Sequence, residues 1–168
     1  STYYYGMKVK FYNLIEENKK IKNILHNSLQ NNINHGQFIL GPEVKKLEYK
    51  FSKFIGVKYA VSVSNGTSAL YLVLKFLNLK KNDEVITVAN SYISSASVIA
   101  LNQLKIKFVD IGDDLNIDVE QIKKNINKNT KAIIAVHLTG NPAKIDLIKK
   151  IVKNKKIHVI EDAAQAIG

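Results

Sequence analysis

A chain of 168 residues, 46% of them hydrophobic and with mean hydropathy −0.09, is long enough to bury one core and has the balance of a soluble globular domain rather than a disordered one. The complete lack of cysteine excludes disulfides, thiolate metal sites and thiol catalysis. No apolar run nears the roughly 18 residues a membrane helix needs, and the N-terminus lacks the basic-then-apolar layout of a signal peptide, so the expected address is cytoplasmic, with no membrane partner. The formal charge of +11 would suit nucleic acid, yet all 25 basic residues are Lys and none is Arg, the side chain best suited to guanine edges and bidentate phosphate contacts. Pairs such as Lys19-Lys20, Lys80-Lys81 and Lys149-Lys150 are spread along the chain. A solvated surface is therefore the stronger reading and a nucleic-acid groove the weaker one.

Residues 1–6, STYYYG, precede the only methionine. Met7 reads as the original start, so residues 1–6 are set aside as an added leader and 7–168 are taken as one domain. Over 14–33, Leu14, Ile15, Ile21, Ile24, Leu25 and Leu29 fit an amphipathic helix that ends in Asn- and Gly-rich punctuation. A second helix starts at Gly41-Pro42-Glu43, since proline is tolerated at the first helical position, and runs to Ile55 before Gly56. Val44, Leu47, Phe51, Phe54 and Ile55 form its expected buried stripe.

The pattern then changes to short runs of Val, Ile and Ala at 59–64, 84–89, 107–111, 132–137 and 158–162, which predict strands. Helical periods lie between them at 67–78, 94–104, 119–126 and 146–155, the third opening on Asp118 as a helix cap. Five strands joined by crossover-length helices imply an α/β fold, a mostly parallel sheet sandwiched by helices. In such sheets a ligand sits outside the carboxyl ends of the strands.

Polar residues collect at those ends: Asn65-Gly66-Thr67-Ser68, Asn90-Ser91-Tyr92, His137-Leu138-Thr139-Gly140 and Glu161-Asp162-Ala163-Ala164-Gln165. Each is weak alone. Asn-Gly is an ordinary turn, an aromatic after a strand is commonly core, and the alternative for Asp162 is the cap of a helix starting at Ala163. Together they describe a rim with an anion cradle at a helix start, a flat ring, a carboxylate and an amide. A phosphorylated pyridine cofactor demands that inventory: donors for its phosphate, a plate to stack on, and a carboxylate for the ring nitrogen.

The blocks GPEVKKLEYKFSKFIGVKYAVSVSNGTSALYLVL, DEVITVANSYISSASVI, KFVDIGDDLNID, TKAIIAVHLTGNPAKIDLI and VIEDAAQAIG, in order over 36–168, resemble the DegT/StrS-type nucleotide-sugar aminotransferases dependent on pyridoxal 5'-phosphate (PLP). That family belongs to the fold-type I, or aspartate aminotransferase, superfamily. The resemblance implies that 7–168 is the N-terminal portion of the PLP-binding large domain. It assigns Gly66 and Thr67, with Ser68, to the cofactor phosphate, Tyr92 to ring stacking, Asp162 to the ring nitrogen as the catalytic carboxylate, and Gln165 to the neighbourhood of the ring hydroxyl; no metal is implied. Residues 36–41 resemble a stretch that helps close the sugar-nucleotide site. For His137 and Asp110 it suggests local structural and loop-anchoring roles. Asn82, where the family usually has Gly, and Ala89, where Pro is common, are departures confined to turns.

The implied reaction is transfer of an amino group, from glutamate, to the keto-sugar of a nucleotide-sugar, in a homodimer with sites at the subunit interface. The lysine that forms the Schiff base with PLP lies further along in the family, and none of the 25 Lys here matches it. Two alternatives follow: a sugar dehydratase of the same family, in which that Lys is replaced by His, or a piece without independent catalysis. A basic nucleic-acid-binding module is the most distant reading.

Overall fold

Apolar periodicity and a glycine at each C-terminus define the two helices of the first unit. The computed structural model describes residues 2–4, 7–10 and 13–167, and its internal contacts divide the chain into one unit up to Ala60 and another from Val61. In the first, strands β1 (Thr2–Tyr4) and β2 (Met7–Val9) pair antiparallel, so part of the stretch set aside as a leader takes up regular structure. Helix α1 (Leu14–His35) has Glu16 and Glu17 in its first turn, charges that suit the helix dipole. It stops at Gly36, whose φ of +67° lets its N–H reach back to Asn32 O at 3.0 Å. Helix α2 (Pro42–Ile55) begins with proline in its first turn and ends at Gly56 in the same left-handed conformation.

Between these helices the His35 ring acts as a tie. Its Nδ1 accepts from the Gln37 N–H at 3.0 Å, and its Nε2 lies 3.3 Å from Glu43 Oε1. The stripes expected to be buried are not. No described residue of α1 is buried, Ser52 alone is buried in α2, and Leu25 and Phe54 are 56% and 67% exposed. Amphipathic spacing decides which face of a helix is apolar, but a cover must come from another element.

The second unit is built on a sheet. After helix α3 (Gly66–Phe76) come β3 (Glu84–Val88), α4 (Ser94–Leu101), β4 (Lys105–Val109), α5 (Val119–Asn125), β5 (Thr130–Val136), α6 (Ile145–Val152) and β6 (His158–Asp162). The spatial order is β4-β3-β5-β6, and every neighbouring pair is parallel. Four strands thus form the sheet where five were expected. Residues 59–64 join no ladder, and Tyr59 and Val61 are 73% and 79% exposed. Their β-branched alternation suits a strand, but a strand exists only as part of a ladder, and among the described residues the sheet's ladders do not extend to them. Smaller differences have local causes: β4 begins at Lys105, two residues early, because α4 ends at Leu101 in a tight turn with Gln103 at φ +59°.

Both faces of the sheet are covered, and the period of two makes this possible. Ile86, Val88, Ile133 and Ala135 point to one side, where they pack with Ile122 of α5 and Ile148 and Val152 of α6. Val85, Ala132, Ile134 and Val136 point to the other, against Leu70 and Leu74 of α3 and Val98 and Ile99 of α4. Each buried Val, Leu or Ile among them contributes about 1.5–3 kcal/mol of transfer free energy. Among the described residues, no helix is long and apolar enough to cross a membrane.

Two features aim this scaffold at one edge. The chain leaves β3 for β4 on one side and returns to β5 on the other, so the order reverses between β3 and β5, where a crevice opens beyond the carboxyl ends. Helix α3 is oriented by its partner. The C-terminal ends of α3 and α4 line one depression through Leu74, Lys75, Asn78, Asn102 and Leu104, and Asn102 Nδ2 donates to Tyr71 O at 3.4 Å. Since α4 starts just beyond the carboxyl end of β3, α3 also starts at that edge.

Candidate functional site

A small cleft of about 70 Å³ lies at the reversal, lined by Ser91 and Tyr92 after β3, Val136, His137 and Leu138 at the end of β5, and Asp162, Ala164 and Gln165 at the end of β6. Three expected site residues, Tyr92, Asp162 and Gln165, therefore converge although they come from two strand ends some 70 positions apart. Tyr92 is 74% exposed, which suits a plate with an open face and not a core aromatic.

Asp162 is part-buried. Its Oδ1 accepts from the Ala164 N–H at 3.2 Å, and a turn closed by Ala166 N–H on Ala163 O follows where a capped helix was the alternative. That turn presents Gln165. It rests on the loop after β5: Gly140, at φ +81°, lies so near Gln165 O that a Cβ there would stand 3.0 Å away.

Gly66, Thr67 and Ser68 are not in the lining of the cleft; they form the first turn of α3 at the same edge. Asn65 caps that turn, its side-chain oxygen accepting from the Ser68 N–H at 2.8 Å while its carbonyl takes the Ala69 N–H at 3.0 Å. Helix geometry leaves Gly66 and Thr67 N–H without intrahelical acceptors, so two donors and the positive end of the helix dipole face outward. A Cβ built on Gly66 meets nothing within 4 Å, so the turn is open beside its Cα. Ser64 Oγ stands 2.9 Å from Ser68 Oγ and holds that hydroxyl beside the turn.

His137, in the lining of the cleft, is buried, 4% exposed. Its Nδ1 accepts from the Ala143 N–H at 3.0 Å, so the proton of the neutral ring sits on Nε2, 3.4 Å from Glu161 Oε2. Lys149 Nζ lies 3.6 Å from the other Glu161 oxygen. The local role expected of His137 fits these contacts. The part played by Asn65 and Glu161 was missed: Asn65 was legible as a cap from its place before a helical run, whereas the pairing of residues 137 and 161 has no signal in one sequence.

Asp110 anchors its loop mainly through the backbone, its carbonyl accepting from Asp118 N–H at 3.1 Å. Further along that loop Asp114 pairs with Lys144 at 3.2 Å, and buried Asn116 donates to Asn141 O at 3.1 Å. The Lys144 side chain, followed by the Asn116 N–H, holds the Asp114 carboxyl below its ordinary value of 3.8. Among the described residues, no three of His, Asp and Glu come together as a metal site.

A parallel α/β sheet with a cleft at its reversal point and an open helix start at the same edge defines the class. Residues 19–168 match the model of the DegT/DnrJ/EryC1/StrS aminotransferase family, and the chain belongs to that family. It is 40% identical over 161 residues to the UDP-2-acetamido-2-deoxy-3-oxo-D-glucuronate aminotransferase of Pseudomonas aeruginosa, an alignment covering 95% of this chain and 45% of that one. Among solved structures it resembles S. venezuelae DesV at 30% identity and a TM-score of 0.90, over 95% of this chain and 43% of DesV. It also resembles the E. coli GDP-4-keto-6-deoxy-D-mannose-3-dehydratase with bound hydrated PLP, at 38% identity and a TM-score of 0.77, over 82% and 37% of the two chains. The chain thus spans less than half the length of these relatives.

Proposed function

We propose that this chain supplies the PLP-binding half-site of a nucleotide-sugar aminotransferase that takes its amino group from glutamate. The observation that carries the proposal is the convergence of Tyr92, Asp162 and Gln165 on one cleft at the edge where α3 opens. The residues fit the cofactor. Gly66 and Thr67 offer two outward N–H groups on a turn that is open beside the Gly66 Cα, a place for a phosphate dianion at a helix start. PLP, when bound, supplies an electron sink that allows an amino group to pass from donor to keto-sugar.

The roles of the chain's own groups follow from their chemistry. Asp162 accepts the proton-bearing ring nitrogen as a hydrogen-bond donor and keeps it protonated. Its bond to Ala164 N–H fixes one carboxylate oxygen and leaves the other for that contact. Tyr92 covers one face of the ring and excludes water from it. Gln165 provides an amide for the ring hydroxyl. In this reading residues 7–168 form the N-terminal portion of the large domain, and the intact protein completes its sites as a homodimer.

The dehydratase reading is second, and its support is the 38% identity to the E. coli 3-dehydratase. The two are separated by product. Incubation of the full-length protein with PLP, glutamate and a nucleotide-linked keto-sugar is expected to give an amino-sugar nucleotide with one 2-oxoglutarate released for each. Asp162→Ala should lose at least about 99% of that turnover, a barrier increase of some 3 kcal/mol. A deoxy-keto product without nitrogen would instead identify a dehydratase, and unchanged turnover in the variant would remove Asp162 from the site.

A further inference from the structure

We infer that Asn116 is a positioning residue for Gln165, acting through the loop after β5; the inference rests on the cofactor reading above. The loops after β4 and β5 leave strands that are not neighbours, since β3 lies between them. Asn116 joins the two loops. It is 2% exposed, and its side-chain Nδ2 donates to Asn141 O at 3.1 Å. Gly140, the residue before Asn141, abuts the turn after β6, where a Cβ on it would stand 3.0 Å from Gln165 O. One buried hydrogen bond and one backbone contact thus lead from Asn116 to the residue that presents the amide.

Asn116 is itself locked to its own loop. Its N–H donates to Asp114 Oδ1 at 3.2 Å, its carbonyl accepts from Gly112 N–H at 2.9 Å, and Nδ2 makes a second bond, to Asp114 O, at 3.4 Å. On the other loop, Gly140 N–H turns back on His137 O at 3.2 Å and Ala143 N–H on the His137 ring at 3.0 Å. Asn141, between those two ties, is held from outside by Asn116. With that bond made, the Gly140 backbone is a wall against which the Gln165 carbonyl rests. Without it, the Asn141 carbonyl loses a buried donor, the wall gives way, and Gln165 samples a wider arc. Asp162 does not depend on this wall, because Ala164 N–H fixes its carboxylate. The effect therefore falls on the contact of Gln165 with the ring hydroxyl, and Asn116 touches neither ring nor substrate.

The test compares two probes on the full-length protein: pyridoxamine 5'-phosphate, which needs no lysine linkage, and its 3-deoxy analogue, which lacks only the ring hydroxyl. Calorimetry at 25 °C gives the affinity of each, with the thermal midpoint of every variant recorded alongside. Wild type is expected to prefer the hydroxylated probe by about tenfold, the equivalent of one well-made hydrogen bond. Gln165→Ala should abolish that preference. Asn116→Ala should cut it to about twofold, weakening the hydroxylated probe about fivefold and leaving the analogue at its wild-type affinity.

A merely structural Asn116 would lower the thermal midpoint and leave the preference intact, and that result overturns the inference when Gln165→Ala still abolishes it. If Gln165→Ala keeps the preference, or wild type has none, the cofactor reading of Gln165 fails and the inference with it. Should Asn116→Ala fail to fold, wild type decides. Coupling is reciprocal, so pyridoxamine 5'-phosphate is expected to slow amide exchange at residues 112–116 about fivefold more than the analogue does. Those residues lie outside the lining of the cleft, where direct contact with the probe does not reach them. Equal protection by the two probes overturns the inference.

Discussion

Gly140 and Gln165 approach each other backbone to backbone, with the Cβ that Gly140 lacks falling 3.0 Å from the Gln165 carbonyl oxygen. The contact joins the loop after β5 to the turn after β6, and so fixes the width of the cleft between them. Gly140 is also at φ +81°, a region that costs a residue with a side chain about 1–2 kcal/mol before any clash is counted. Gly140→Ala is expected to lower unfolding free energy by about 2 kcal/mol or more, since the atom it meets is backbone and cannot rotate away. Urea unfolding checks this, and wild-type stability in the variant would show that the two turns are not in contact.

The first turn of α3 depends on one side chain. Asn65 satisfies the Ser68 N–H, and Asn65→Ala should cost about 1 kcal/mol, within the usual range for a lost helix cap. Asn65→Asp keeps the acceptor and adds a charge that favours the helix dipole, so it should retain wild-type stability. The same charge stands beside the proposed phosphate position. Its expected signature is therefore full stability with weakened cofactor binding, a combination that separates the two roles of the turn.

Asp114 brings a pH dependence. Its carboxyl is lowered in the folded chain, first by Lys144 and then by the Asn116 N–H. A depressed folded value means that the contribution to stability is complete above the unfolded value of about 4 and is lost as pH falls through the lower folded one. The loop from Asp110 to Asp118 should hence loosen in acid before the sheet does. The protection factor of the Asn116 amide, with the intrinsic exchange rate at each pH divided out, is the measurement between pH 5 and pH 3, and Asp114→Asn should abolish its pH dependence. An unchanged protection factor across that range in wild type would contradict the pairing.

The parts of the fold legible in the sequence were those settled by local chemistry or by period. Asp118 caps α5 as expected, accepting from Glu120 N–H at 2.8 Å. The alternation of Val85 and Ile86 and of Ile133 and Ile134 onto opposite faces follows from a period of two, and the parallel sheet follows from the strands' spacing. What failed depended on a partner. Among the described residues the run 59–64 has the composition of a strand but joins no ladder, and the apolar stripes of α1 and α2 are largely exposed.

The site divides in the same way. That Tyr92, Asp162 and Gln165 would meet at one edge was readable because the carboxyl ends of parallel strands lie together. Glu161 was not, because its meaning lies in a contact with His137 across neighbouring strands.

The most direct measurement is a crystal structure of the protein grown with pyridoxamine 5'-phosphate. The expected density places the phosphate on the Gly66 and Thr67 N–H groups, the ring against Tyr92 and the pyridine nitrogen within hydrogen-bond distance of Asp162. A cofactor bound elsewhere, or bound with its nitrogen turned away from Asp162, would contradict the account.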